Sequence, residues 1–94
     1  MADDHSPYEL VVAAAAGRAI ADVLPEAVGV AAIDLITGDL LTAPERVGKP
    51  LRREMDGSWV ARRGTFRIIY EIDYDHHEVI VLRVDHRSDI YRGR

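Results

Sequence analysis

The chain has 94 residues, no cysteine and a formal net charge of −4. A chain of this length holds one domain spanning 1–94 with one modest core, and its balance of 48% apolar and 30% charged residues is that of a soluble globular protein. The composition excludes a disulfide framework, a thiolate metal site and a thiol nucleophile; no apolar run reaches a membrane span, and the acidic start Met1-Ala2-Asp3-Asp4-His5 suits neither a secretory nor a transit peptide, so the chain reads as cytoplasmic.

Residues 1–6 read as disordered. Tyr8-Glu9-Leu10-Val11-Val12 has strand character and predicts a first, edge strand. From Ala13 to Leu24 the composition turns alanine-rich, with Ala16, Ile20, Val23 and Leu24 spaced for one buried helical face. Pro25 closes that helix and opens a second one through Glu26, an acid well placed for the helix dipole. Val28, Ala31, Ala32, Leu35 and Ile36 carry its apolar period as far as Thr37-Gly38-Asp39, which ends or bends it. Ala43 to Pro50 reads as a loop bearing Arg46 and Lys49, and Leu51 to Asp56 is charged and ambiguous. Ser58 to Arg62 reads as a strand entered through the turn signal Asp56-Gly57.

The strand that follows organises the domain. Phe66, Ile68, Tyr70 and Ile72 alternate with Arg67, Ile69 and Glu71, which puts Arg67 on the opposite face from the aromatics. Gly64 permits a sharp turn that brings Arg62 or Arg63 near Arg67. Asp73 to His77 forms a polar turn, Glu78 to Asp85 is the last and most β-branched strand, and His86 to Arg94 is too short for a packed helix. The expected domain is α+β, in the order β-α-α-β-β-β. Two N-terminal helices cover one face of a mostly antiparallel four-stranded sheet, and the other face is left for function.

Charge is distributed unevenly. Residues 1–41 hold seven acids and one base, whereas residues 42–94 hold eleven bases and nine acids, ten of those bases being arginine. Arginine clusters suit bidentate recognition of phosphate or carboxylate, although on many surfaces they only pair with nearby acids. His76 and His77 are adjacent in a turn, so their side chains diverge and read as solvated rather than as a metal pair. Trp59 reads as core.

Three blocks, Gly48-Lys49-Pro50-Leu51, Trp59 to Tyr70, and Val84-Asp85-His86-Arg87-Ser88-Asp89-Ile90-Tyr91, together resemble the RelE/ParE superfamily of bacterial toxin–antitoxin toxins, and most closely its RelE branch. The resemblance runs from about Tyr8 to Tyr91. It implies the fold argued above and a ribosome-dependent endoribonuclease that cuts mRNA in the decoding site without metal or cofactor, held inactive by a cognate RelB-like antitoxin. In that chemistry the 2′-hydroxyl attacks the adjacent phosphorus, which requires a base, an acid and cations on the non-bridging oxygens. Arg67 matches the family's phosphate-stabilising strand arginine. Arg87, with His86 beside it, falls in the block that supplies the charge stabiliser or acid, and Tyr91 matches the tyrosine that positions the substrate. The lysines that the best-known member carries before the turn correspond to Ser58 and Val60 here, so basicity for RNA binding is expected from Lys49, Arg52, Arg62 or Arg63. Arginine is a poor general base, so the base is unassigned, and His86 is the nearby group suited to proton transfer near neutrality. The same fold also serves ParE-like poisons of DNA gyrase, and a third reading is an inactive antitoxin-binding module; the set Arg67, His86, Arg87 and Tyr91 favours the enzyme.

Overall fold

The computed structural model describes residues 6–51 and 57–86. The elements run β1 (Glu9–Val12), α1 (Ala14–Arg18), a π-helical turn (Ala19–Val23), α2 (Glu26–Thr37), α3 (Asp39–Thr42), α4 (Pro44–Val47), β2 (Lys49–Pro50), β3 (Trp59–Arg63), β4 (Phe66–Asp73) and β5 (Glu78–His86). The strands form one sheet in the order β1-β5-β4-β3-β2, antiparallel throughout except for β1, which lies parallel to β5. The mixed α+β architecture is the expected one, with a fifth strand where four were predicted. The added strand is the two-residue β2, too short to show any alternation in sequence.

The helix limits follow local chemistry. The first helix widens after Arg18, where Leu24 N–H donates to Ala19 O at 2.9 Å. It stops at Leu24, whose backbone is extended because the ring of Pro25 disfavours helix at the residue before it. The loop expected from Ala43 to Pro50 contains one helical turn with Pro44 in its first positions. No helix among the described residues is long and apolar enough to cross a membrane. Residues 1–5 of the start read as disordered lie outside the described residues; the carbonyl of the sixth, Ser6, meets His77 Nε2 at 2.9 Å.

One face of the sheet packs under the helices. Ala16, Ala32, Leu35, Ile36 and Leu40 meet Ala61, Phe66, Ile68, Tyr70, Val79, Val81 and Val84, with Trp59 partly buried against them. At the centre Tyr70 is fully buried, and its hydroxyl donates to Pro44 O at 2.6 Å, which fastens α4 to the sheet. Burial, helped by nearby Tyr74, pushes the Tyr70 phenol up to about 12.

The pairing of β4 with β5 slips by one residue between Ile69 and Tyr70: Tyr70 faces Val81 while Ile69 faces Arg83, so Leu82 is the extra residue of a β-bulge. Past the bulge the alternation of β5 inverts. Val84 joins Val79 and Val81 in the core, and Arg83 and Asp85 turn to the open face.

The β4–β5 turn is held by Asp73, which accepts from His76 N–H at 3.1 Å and meets His76 Nδ1 at 2.9 Å. The backbone bond, followed by the side-chain bond, holds the Asp73 carboxyl below its usual range, and hydrogen bonding to Asp73 raises His76. A lowered acid stabilises the fold above its unfolded pKa and loses that contribution as pH falls through the folded one. A raised histidine contributes fully below its unfolded pKa and loses its contribution as pH rises through the folded one. The pair therefore contributes most between about pH 4 and 6.5, the ordinary values of the two groups. His76 is exposed and Asp73 partly so, which leaves the pair well screened and the effect small. His76→Ala is expected to narrow the difference in thermal midpoint between pH 5.5 and pH 8, as scanning calorimetry at the two pH values will show.

Candidate functional site

The sheet face opposite the helices, the open face, carries two adjacent cross-strand rows, within which Val60 and Ile69 are 9% and 3% exposed. Residues directly opposite one another in a ladder project to the same side, with Cβ atoms about 4.5–5.5 Å apart. One row is Arg62, Arg67 and Asp85; the next is Lys49, Val60, Ile69 and Arg83. The tight turn that sets the register of the first row is made by Gly64-Thr65, with Gly64 at φ 55°, a conformation for which glycine has no steric penalty. Four cations and one carboxylate thus gather on rigid strands.

Arg67 occupies the middle of this group. Like charges directly opposite repel, so Arg62 and Arg67 are held together against a cost, and Asp85 on the other flank offsets it. Arg67 Nε donates to Asp85 Oδ2 at 3.3 Å, and Arg83 Nη2 donates to the same oxygen at 2.7 Å. Asp85 is 18% exposed, Arg67 30% and Arg83 51%, so the pairs sit at the edge of solvent. Farther along the same face the sign reverses, with Glu71 beside Ile80, and Asp73 and Glu9 both beside Glu78. The face is polarised: cations at one end, carboxylates at the other.

The structure brings together Lys49, Arg62 and Arg67 of the residues singled out from sequence. Arg63 does not join them. It and His86 both pair with Phe66, whose side chain is in the core, so both lie on the helix-covered side. Arg63 lines a groove there with Ala31, Asp34 and Asp39. The expectation that His86 shares the neighbourhood of Arg67 is corrected by the bulge at Leu82, which places Asp85 on the open face and therefore its neighbour on the other. Arg52, Arg87 and Tyr91 lie outside the described residues. Val60, where the family's lysine would stand, is apolar and 9% exposed, yet Lys49 from β2 lies directly across from it on the same face. The cation is supplied by the neighbouring strand.

Arg83 and Asp85 were not assigned a role from sequence. Strict alternation from Val79 and Val81 would have buried Arg83. The readable signal was the apolar pair Val81-Leu82 followed by Val84, a step of three where a regular strand takes two.

Residues 15–91 match the family described as ParE toxin of type II toxin-antitoxin system, parDE. The chain belongs to this toxin family. Within the RelE/ParE toxins its similarity runs to the RelE branch. It is 55% identical over 69 residues to Toxin RelG of Mycobacterium tuberculosis, covering 73% of this chain and 79% of the relative. It is 42% identical over 92 residues to Toxin RelE of the same organism, covering 98% and 93%. Among solved structures it resembles a chain of the toxin–antitoxin complex RelBE2 from M. tuberculosis, with TM-score 0.82 and 46% identity over 87% of this chain and all of that one. The isolated Escherichia coli RelE toxin, at 21% identity and TM-score 0.69 over 92% of this chain and 93% of that one, shares the fold. In this RelE/ParE toxin Lys49, Arg62 and Arg67 share the polarised face, and Arg63 stands on the helix-covered one.

Proposed function

We propose that the chain is a ribosome-dependent mRNA endoribonuclease, inhibited by a cognate RelB-like antitoxin and acting in the cytoplasm. The observation that carries this reading is the placement of Arg67 at the centre of a cationic patch on rigid strands, in a chain 42–55% identical to RelE-type toxins. Attack of the 2′-hydroxyl on phosphorus adds negative charge to the non-bridging oxygens in the transition state. The P–O5′ bond then breaks, giving a 2′,3′-cyclic phosphate and a 5′-hydroxyl. A preorganised guanidinium beside those oxygens stabilises the added charge without having to reorganise at the moment of reaction.

Arg67 takes that role, with Lys49 and Arg62 holding the flanking backbone phosphates. Arg87 and Tyr91 are assigned by the family pattern to charge stabilisation near the leaving oxygen and to substrate positioning. The proton donor is not given to His86, which pairs with Phe66 on the other side of the sheet. The carboxylates at the far end of the face repel a phosphate chain and direct it across the cationic end.

The antitoxin reading draws on the RelBE2 complex and on α2, where Val30 and Ile33, one helical turn apart, stand 54% and 44% exposed. Such a pair suits the apolar side of an amphipathic helix.

The test maps mRNA 5′ ends on translating ribosomes with and without the purified protein, beside a gyrase supercoiling assay on the same preparation. Cuts within the decoding codon are expected. Supercoiling inhibition without cuts would move the chain to the gyrase-poison reading, and neither effect would leave an inactive antitoxin-binding module.

A further inference from the structure

Two guanidinium groups converge on a single carboxylate oxygen at the cationic end of the open face: Arg67 Nε and Arg83 Nη2 both donate to Asp85 Oδ2. An anionic oxygen taking hydrogen bonds from two arginines is the arrangement in which a phosphodiester oxygen is recognised. A permanent Arg–Asp pair favours the bidentate form, two N–H groups on two oxygens, with separations of about 2.7–2.9 Å. Here each arginine contacts the same oxygen, and the Arg67 bond is long at 3.3 Å. Asp85 is 18% exposed and stands on the face opposite the core, so the carboxylate can swing aside without opening the core.

We propose that Arg67 and Arg83 form a two-guanidinium subsite for one phosphodiester of the substrate strand, which Asp85 occupies in the free chain and vacates when that phosphate arrives. Asp85 is a positioning residue with two effects. It holds the arginines convergent against the repulsion of Arg62, Arg67, Arg83 and Lys49 at close quarters. It also makes any phosphate compete with a tethered carboxylate. The competition suppresses binding to stray nucleic acid, consistent with a toxin of net charge −4 that engages RNA only where the strand is presented at high local concentration. The proposal rests on the ribonuclease reading for the identity of the phosphate; the geometry of the subsite does not depend on it.

The inference is tested by fluorescence anisotropy over a range of salt concentrations, with a labelled single-stranded oligodeoxynucleotide as the probe. The probe lacks the 2′-hydroxyl and is not cut by that route. Asp85→Asn keeps the shape and a neutral acceptor but removes the competing charge. It is expected to bind about tenfold more tightly at low salt, with the slope of log affinity against log salt close to the parent's, because the same phosphate contacts form in both chains. Asp85→Glu restores the charge and is expected to behave as the parent chain does. Arg83→Ala, a change at a half-exposed position, is expected to weaken binding severalfold and to make the slope shallower by about 0.7, the value of one phosphate contact on a single strand. Parent-like affinity in Asp85→Asn overturns the proposal. Should that variant fail to fold, unchanged binding in Arg83→Ala overturns it equally. Absence of ribosomal cuts by the parent chain would refute the nuclease reading while leaving these binding results as they stand, and unchanged binding would refute the subsite while leaving the parent chain's cuts intact.

Discussion

Arg67→Ala is expected to lower ribosome-dependent cleavage by about 100-fold or more, the loss seen when one preorganised group that stabilises transition-state charge is removed. The fold should survive the change. Arg67 is partly exposed, its ion pair among the described residues is with Asp85, and its loss relieves the repulsion with Arg62, so a stability change within about 1 kcal/mol is expected. Arg67→Lys separates charge from geometry. Lysine keeps the charge but lacks the planar fork, so it should recover only part of the rate. Quantified 5′ ends from translating ribosomes and a thermal melt of each variant give both numbers. Parent-level cleavage by Arg67→Ala would remove Arg67 from the site.

Gly48→Ala is expected to cause a large loss of stability, about 3 kcal/mol, of the kind produced when atoms are forced into a filled space. The backbone of Gly48 is extended, at φ −125° and ψ −169°, a conformation open to any residue, so the cost does not come from dihedral strain. It comes from space. A Cβ there would stand 2.3 Å from the Tyr70 hydroxyl and 2.6 Å from Val60 O. Neither neighbour gives way freely: the hydroxyl is bonded to Pro44 O, and Val60 lies in β3 between β2 and β4. For a domain of this size the loss corresponds to a fall in thermal midpoint on the order of 15 °C. Adding Tyr70→Phe removes the closest atom and should restore part of the loss, so the two changes will not be additive. A midpoint within a degree or two of the parent would show that the β2 junction is loosely packed. Activity should fall too, because Lys49 is placed by this junction.

Much of the fold was legible because it rests on local chemistry. Pro25 marked the helix boundary in sequence, and α2 begins at Glu26 and ends at Thr37, as the residues around Gly38 indicated. The alternation of Phe66, Ile68 and Tyr70 with Arg67 identified β4 and its two faces, and Gly64 announced the turn that sets Arg62 opposite Arg67. β2 and α4 were not legible. Two residues show no period, and one helical turn inside a segment rich in proline and glycine reads as loop; both are held by distant partners, Val60 and Tyr70.

The site divides along the same line. Sequence by itself determined that this chain is a RelE/ParE-type toxin, that Arg67 stands on a central strand facing away from the core, and that arginine supplies its basicity, because residue type and alternation are local properties. Only the tertiary structure decided which charges share the face of Arg67. A one-residue bulge at Leu82 inverts the rest of β5, bringing Arg83 and Asp85 to the site and sending His86 to the opposite side, while β2 sets Lys49 beside Val60. The physical reason is that a strand's faces alternate with period two, so a single slip of register between β4 and β5, set by how the two strands pack, reassigns every side chain beyond it.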